Sequence, residues 1–115
     1  MKNRHHYPEE WFDTIRPAVL LRDNYKCTEI GCKVKHRSIG YYSHIGAWVE
    51  CDAHMQKWAK TNGFKIQKIH LQVAHLDQNK NNCTMQNLKT MCPVHHLAYD
   101  RYWNNLKRKM AGRQQ

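Results

Sequence analysis

The 115-residue sequence predicts one small α+β domain with an N-terminal helix, an inserted middle helix and a metal site. Apolar residues recur at helical spacing in two segments, and they alternate as in strands over residues 64–73. Cysteine and histidine stand in pairs, Cys27 with Cys32 and Cys92 with His95. Only 41% of the residues are apolar. Because so small a core rarely holds a fold by itself, we expect a bound metal to tie the domain together.

The charge of the chain points to a polyanionic partner. Its net charge is +10 and its isoelectric point is near 9.6, and nucleic acid is the first choice for such a protein. A basic helix with bulky apolar residues on its other face, typical of membrane-surface proteins, is not visible. With five cysteines and neither a signal-peptide pattern nor a long apolar run, we expect thiolate ligands in a reducing cytoplasm rather than disulfides.

The N-terminal helix is predicted from about residue 8 to residues 22–24. Residues 1–7 are polar and basic and are expected to be a flexible tail. Pro8 and the acidic residues after it suit a helix start, and Trp11, Ile15 and Val19 recur at helical spacing. Pro17 either kinks this helix or starts a second one.

The middle of the chain predicts a second helix and then strands. Residues 33–37 are basic and expected to be exposed, and residues 39–47 form a loop or a short strand. A helix over 48–61 would put Trp48, Met55, Trp58 and Ala59 on one face before the stop signal at residues 62–63. The alternation over 64–73 predicts one strand, or two with a break near Lys68.

The last part of the chain predicts a loop and a long helix. Residues 79–82 form a loop tip, and residues 84–88 can hold one helical turn. Pro93 suits the first turn of a helix that runs to about Lys109. Residues 110–115 are expected to be a flexible tail.

Four residues have the pattern of a structural zinc site. Cys27, Cys32, Cys92 and His95 form a C-x4-C pair and a distant C-x2-H pair. Zinc favours thiolate and imidazole ligands, and four protein ligands leave no open position. Such a site would join the end of the first helix to the start of the last.

Two other interpretations of the cysteines remain open. The same residues could be buried thiols without a metal. A rival ligand set would use Cys51 and His54 in place of Cys92 and His95. Cys83 belongs to neither set and is expected to be a small apolar filler.

The sequence also resembles a nuclease family. His75, Asn87 and His96, with Cys92-x-x-His95 directly before His96, are similar to the motif of the HNH endonucleases of the ββα-metal group, especially small phage-type HNH proteins. The run Arg22-Asp23-x-Tyr25-x-Cys27 resembles their approach to the first zinc cysteine. The resemblance covers residues 11–32 and 71–100, and residues 33–69 match only loosely.

The resemblance implies two antiparallel strands and a helix that grip one divalent cation, usually magnesium, manganese or a transition metal. His75 would be the general base and His96 would bind the cation. Asn87 would hold the loop around His75 in register. Many family members carry an acidic or histidine ligand directly before the base, where this chain has Ala74. Asp100, one helical turn beyond His96, or Asp77 could replace it.

Each of these residues has a structural alternative. His75 could be a hydrogen-bonded histidine at a strand end, and His96 could replace His95 on zinc. Asp100 could pair with Arg101, and Asn87 could form an Asx turn.

The resemblance further implies that the last helix lies near the minor groove of bound DNA. The cations expected to contact phosphates without reading sequence are Arg101, Lys107, Arg108 and Lys109. The predicted function is a metal-dependent endonuclease that nicks or cuts DNA with little sequence specificity. The alternatives are an inactive zinc-stapled DNA-binding module, consistent with Ala74, and a structural zinc protein. The expected setting is the cytoplasm of a bacterium or phage-infected cell, with a phage DNA-packaging terminase as a candidate partner.

Overall fold

Helices and two small antiparallel sheets make up the chain, as the α+β prediction requires. A computed structural model describes the backbone of residues 10–113 and the side chains of residues 10–111. The elements, in chain order, are a π-helical turn (Trp11–Ile15), α1 (Arg16–Arg22), β1 (Ile39–Tyr42), β2 (Trp48–Glu50), α2 (Ala53–Thr61), β3 (Gln67–Lys68), β4 (Gln72–His75), a 3-10 turn (Met85–Asn87), β5 (Leu88–Met91) and α3 (Pro93–Arg113).

Pro17 starts a helix rather than kinking one. A π-helical turn comes first, in which the amides of Thr14 and Ile15 both donate to the Glu10 carbonyl, each at 3.0 Å. Helix α1 then begins with Pro17 in its first turn. Proline is tolerated there because first-turn N–H groups have no acceptor within the helix. The helix ends at Arg22, inside the range predicted from the turn-like residues that follow it.

The main core lies between α1, the β4–β5 hairpin and α3. Strands β4 and β5 pair antiparallel, with His75 opposite Leu88. Val34 is 1% exposed and belongs to this core, so the prediction that all of residues 33–37 are exposed was wrong at this position. The fully or nearly buried members of the core are Trp11, Val19, Leu20, Cys27, Val34, Ile69, Leu71, Val73, Ala74, Leu88, Met91 and Cys92.

An ion pair at the end of α1 closes the outer edge of β5. The Arg22 guanidinium donates to both carboxylate oxygens of Asp23, at 2.8 and 2.9 Å, and to the carbonyls of Met85 and Leu88. Asp23 accepts from the Thr90 amide at 3.0 Å. Burial alone would raise the pKa of Asp23, but these hydrogen bonds outweigh it and the pKa is lowered. The first helix is thereby fixed to the strand that leads to Cys92.

The middle of the chain forms a three-stranded sheet in the order β2-β1-β3, with α2 beside it. The predicted helix over 48–61 was wrong at its start, because residues 48–50 pair with β1 and the Trp48 ring packs at a tilt against Tyr42 across the strands, with centroids 5.1 Å apart. Helix α2 begins only after Asp52, whose carboxylate accepts from the Met55 amide at 2.8 Å. It stops at Asn62 and Gly63 as predicted.

The insertion of residues 39–68 has a small core of its own. Tyr41, Cys51 and Ala59 are buried there, with Val49, Phe64 and Ile66 packed around them. The predicted helix face is wrong in part, since Met55 and Trp58 are exposed. The strand prediction for residues 64–73 is confirmed only as two short strands, β3 and β4, separated by the buried residues Ile69 and Leu71.

The C-terminal part agrees closely with prediction and extends it. The single turn before β5 is a 3-10 turn at residues 85–87, and α3 begins at Pro93. Helix α3 continues past Lys109 to Arg113, so residues 110–113 are helical where a flexible tail was expected. The predicted tail at residues 1–7 and the last two residues lie outside the described residues. Of the helices between residues 10 and 113, none has both the length and the apolar character that a bilayer crossing requires.

The sheet of the insertion depends on one glycine. A Cβ atom at Gly40 would overlap the backbone carbonyl of Val49 on the paired strand, so Gly40→Ala must push β1 and β2 apart. We expect a loss of about 3 kcal/mol in the free energy of unfolding, measured by urea denaturation of the metal-loaded protein. Gly46→Ala is the matched control: it has open space but a φ of +82°, and should cost about 1 kcal/mol. Equal losses would contradict the close approach.

Candidate metal centre and adjoining cleft

The four predicted zinc ligands converge at one point. The Sγ atoms of Cys27, Cys32 and Cys92 and a ring nitrogen of His95 all lie within 4.8 Å of one another. The His95 Nδ1 atom is 3.2 Å from the Cys92 sulfur and 3.5 Å from the Cys27 sulfur. Across residues 10–113, this is the only set of three or more metal-ligating side chains that meets so closely. The four residues, hereafter the Cys3His cluster, are close enough to bind a metal ion.

Local backbone structure brings both pairs to this point. Cys27 follows α1, and its amide donates to the Val34 carbonyl at 3.0 Å, which closes the loop between the two. Gly31 has a φ of +80°, a conformation that favours glycine and turns the chain so that Cys32 faces the cluster. Cys92 ends the hairpin, and His95 lies in the first turn of α3. The cluster therefore joins α1 to the hairpin–α3 junction.

The electrostatics of the cluster favour a cation. A hydrogen bond with Cys92 lowers the pKa of Cys27 to about 4, so Cys27 is readily a thiolate. The same contact raises the pKa of Cys92, and burial raises the pKa of Cys32. Because a second and a third negative charge are disfavoured beside the first, three thiolates require a positive ion between them. The donor set and its charge both fit zinc.

The structure separates the rival ligands from the cluster. Cys51 is buried in the core of the insertion, and its thiol donates to the Val49 carbonyl at 3.6 Å. His54 lies exposed on α2. Neither joins the Cys3His cluster, so the alternative set is wrong. His96 does not replace His95 either, since it faces a different feature.

That feature is a cleft of about 260 Å³ where β4, the following loop and α3 meet. Three of the predicted site residues, His75, His96 and Asp100, line it together. His75 comes from the end of β4, and the other two lie one turn apart on α3. The remaining walls are Val73, Gln78 and Lys80. We call this the His75–His96 cleft.

His75 is held at the edge of the core. Its ring stacks on Trp11 with centroids 4.7 Å apart, and only 8% of the residue is exposed. Its Nε2 atom lies 3.6 Å from the sulfur of Cys83, which packs against the core as predicted and also contacts this imidazole. Burial lowers the pKa of His75, an effect that the Asp77 charge opposes in part. The imidazole is therefore neutral at pH 7 and able to accept a proton.

Asn87 holds the loop that follows His75. It is 9% exposed, and its side-chain amide donates to Asp77 at 2.9 Å and to the Asn82 carbonyl at 2.8 Å. Its side-chain oxygen accepts from the Asp77 amide at 3.0 Å, and its backbone carbonyl accepts from the Leu76 amide at 2.8 Å. These contacts are those of the loop-holding role predicted for Asn87.

Asp77 is placed in the same loop and not in the cleft. Its carboxylate accepts from the amide of Asn79 at 2.8 Å and from the side chain of Asn82 at 2.7 Å, in addition to Asn87. These hydrogen bonds, led by that from Asn82, lower the pKa of Asp77. The Asp77 oxygens thus bind the loop, and Asp77 is not among the residues that line the His75–His96 cleft.

His96 and Asp100 present a pair of donor atoms to the cleft. His96 Nδ1 lies 2.6 Å from the Gln72 side-chain oxygen, a contact in which Nδ1 donates and Nε2 keeps its lone pair. That Nε2 atom is 3.7 Å from the Asp100 carboxylate, which also accepts from Gln78 at 3.3 Å. A lone pair and a carboxylate facing each other form a small electron-rich site suited to a cation. In the described part of the chain, Asp100 is paired with His96 and not with Arg101.

Helix α3 carries the predicted phosphate-contacting cations away from the cleft. All four are exposed along its surface: Arg101, Lys107, Arg108 and Lys109.

Comparison with protein-family models, with curated proteins and with solved structures gave no match. What the site can do rests on its own chemistry.

Several residues of the site were missed by sequence reasoning. Trp11 was expected only as a core residue, and Gln72, Gln78 and Lys80 were not expected at the site at all. Gln72 precedes the predicted base by three positions, but nothing in its identity distinguishes it from other exposed strand residues. Only folding brings it to His96, 24 positions away.

The Cys3His cluster predicts which cysteine the fold depends on. Cys92→Ser should lose bound zinc and most of the far-UV circular dichroism signal, because binding energy of this kind is folding energy in small domains. Zinc is measured by atomic absorption on protein purified under reducing conditions. Cys51→Ser, the control at a buried cysteine outside the cluster, should keep about one zinc per chain. If zinc persists in Cys92→Ser and is lost in Cys51→Ser, the ligand assignment is wrong.

Proposed function

We propose that the protein is a metal-dependent HNH endonuclease that hydrolyses DNA phosphodiester bonds with little sequence specificity and is stapled by a structural zinc. The observation that carries the proposal is the shared cleft: the stacked imidazole of His75 lines the same small space as His96 and Asp100, whose facing donor atoms would hold a cation. An enzyme of this class needs one group to take a proton and one site for a cation, on either side of a phosphodiester.

The order of elements supports the family. Strands β4 and β5 form an antiparallel hairpin, and α3 follows directly and packs on both strands. This is the ββα arrangement that the resemblance implies. The Cys3His cluster lies at the point where β5 passes into α3, and it supplies four protein ligands with no position left for substrate. Zinc would accordingly serve the fold and not the reaction.

His75 is the general base in this proposal. Its pKa is lowered by burial, so the imidazole is unprotonated at physiological pH and can take the proton of an attacking water. Trp11 fixes the plane of the ring by stacking, and Asn87 fixes the loop behind it. The base is thus oriented before substrate arrives, which reduces the entropy lost on reaching the transition state.

His96 and Asp100 would hold the catalytic cation. Gln72 holds His96 in the tautomer that leaves Nε2 available, and Gln78 steadies the Asp100 carboxylate. A divalent cation supplies positive charge that polarises the scissile phosphate and stabilises the leaving 3′ oxygen. A ligand set of one imidazole and one carboxylate suits ions that keep several waters and use phosphate oxygens as further ligands.

The charge of the protein supports DNA as the substrate. The net charge is +10, and the cations of α3 extend from the cleft along one helix. Lysine and arginine contacts to phosphates bind any sequence equally and position the duplex over the cleft. Low sequence specificity follows from this mode of contact.

One observation favours a second candidate, a DNA-binding module without cleavage. The position directly before His75, where the family commonly carries a metal ligand, is Ala74, and its side chain is buried. The cleft then provides only two protein donors for a cation. If two are too few, the protein binds DNA without cutting it.

Plasmid nicking separates the two candidates. Wild-type protein with magnesium or manganese should convert supercoiled plasmid to the open circle. His75→Ala should lower the rate by about 100-fold or more, the usual contribution of a general base, while DNA binding in a gel-shift assay persists. His54→Ala, at an exposed histidine on α2, is the control and should nick normally. Wild type and His75→Ala behaving alike across several divalent metals would leave the binding module as the function.

The pH dependence of nicking tests the role of His75 directly. The base must be neutral, and its pKa is lowered from the ordinary value of 6.5. Activity is therefore present above that lowered pKa and lost as the pH falls through it. With magnesium, kcat/KM should be flat above pH 7 and should fall about tenfold per pH unit on the acid side of a pKa below 6.5. A rate that still climbs steeply from pH 7 to pH 8 would contradict His75 as the base.

A further inference from the structure

Three lysines cluster on the surface beside the Cys3His cluster. Lys26 and Lys35 face each other in an isolated antiparallel bridge between the two sides of the loop that carries Cys27 and Cys32. Lys33 lies two residues before Lys35, and the buried Val34 between them makes the pair point to the same side, as on a strand. We call these three residues the knuckle lysines.

This arrangement costs stability in the isolated protein. Like charges placed directly opposite each other across paired backbone segments repel. Within residues 10–113, none of the three knuckle lysines forms an ion pair that would offset the repulsion. All three are exposed, so solvent reduces the repulsion, and no carboxylate among the described residues pairs with them.

The knuckle lysines border a cleft of about 390 Å³, which Cys32, Trp48 and Glu50 complete. The indole nitrogen of Trp48 is buried without a hydrogen-bond acceptor. Glu50 is the one acidic side chain among the six, against three lysines, so the cleft is positive by two charges. A positive cleft with an apolar wall suits an anionic ligand.

This surface is separate from the His75–His96 cleft. The two share no lining residue. The knuckle lysines also come from a loop and not from α3, so their contacts would add to those of the helix.

We propose that the knuckle lysines bind the sugar–phosphate backbone of duplex DNA, as a second contact surface outside the cleft where the strand is cut. The inference rests on the proposed function only in taking DNA as the polyanion. Three lysines without acidic partners neutralise phosphates and release their counterions, so the like-charge repulsion is relieved when DNA is bound. Their contacts position the duplex and carry no sequence information.

The test is the salt dependence of DNA binding. Zinc-loaded protein is titrated with a fluorescent DNA duplex, without magnesium or manganese, at salt concentrations from about 50 to 200 mM. Replacing Lys26, Lys33 and Lys35 together by glutamine should reduce the slope of log K against log salt by about 2 to 3, since each phosphate contact contributes about 0.9. Zinc content and circular dichroism verify that the variant is folded.

A charge-matched control separates a local contact from the effect of net charge. Lys57, Lys60 and Lys65 are exposed on or after α2, and replacing them by glutamine removes the same three charges. This control should leave the slope within about 0.5 of wild type. A slope that falls equally in both triple variants, or in neither, overturns the proposal while leaving the nuclease to the His75→Ala test. Wild-type protein that fails to bind duplex at any salt concentration overturns both.

Protection of the wild-type protein gives a second measurement that needs no variant. Exposed lysines are acetylated briefly with and without DNA, and the modified positions are quantified by mass spectrometry. The knuckle lysines should be protected by DNA at least threefold more than Lys57, Lys60 and Lys65. Equal protection of the two sets would contradict a contact at the knuckle.

Discussion

The meeting of two ligand pairs from opposite ends of the chain is the constraint on which the rest of the structure depends. Cys27 and Cys32 follow the first helix, and Cys92 and His95 precede and begin the last. Bringing them together sets α1 against β5, where Arg22 and Asp23 then complete the hydrogen bonds of the strand edge. In a chain with so small an apolar fraction, ligand bonds to a metal in the Cys3His cluster would supplement the core and hold this geometry.

The same constraint also shapes the His75–His96 cleft, because His95 and His96 are adjacent on α3. Adjacent residues on a helix point about 100° apart, so His95 can face the Cys3His cluster while His96 faces the hairpin. His75 lies on β4 opposite Leu88, just before the loop that Asn87 fixes. The position of the metal cluster along β5 and α3 therefore determines which side chains of the hairpin and helix share a space.

The sequence was most informative where chemistry restricts the choice of residue. Ligand spacing identified all four members of the Cys3His cluster, Gly63 marked the end of α2, and Pro93 marked the start of α3. The spacing of apolar residues gave a wrong prediction where the same spacing fits both a helix and a strand. Trp48 fits the spacing of α2, but its pairing with Tyr42 across two strands is a tertiary contact that local spacing cannot reveal. Asp100 was the first candidate for the second cation ligand and Asp77 the second, and only the folded loop shows that the Asp77 carboxylate accepts hydrogen bonds from Asn79 and Asn87.

The entry and exit of residues 39–68 lie side by side. Ile39 pairs with Lys68. Just outside this pair, the Arg37 amide donates to the Ile69 carbonyl at 2.7 Å, and the Ile69 amide donates to the Ser38 carbonyl at 2.9 Å. Residues 39–68 therefore form a structural module: their two ends lie together, and they bury their own apolar side chains. Lineages could lengthen, shorten or exchange it without displacing the hairpin, because joining its ends by a tight turn adds little closure entropy. New recognition elements could arise here while the geometry of the His75–His96 cleft stays fixed.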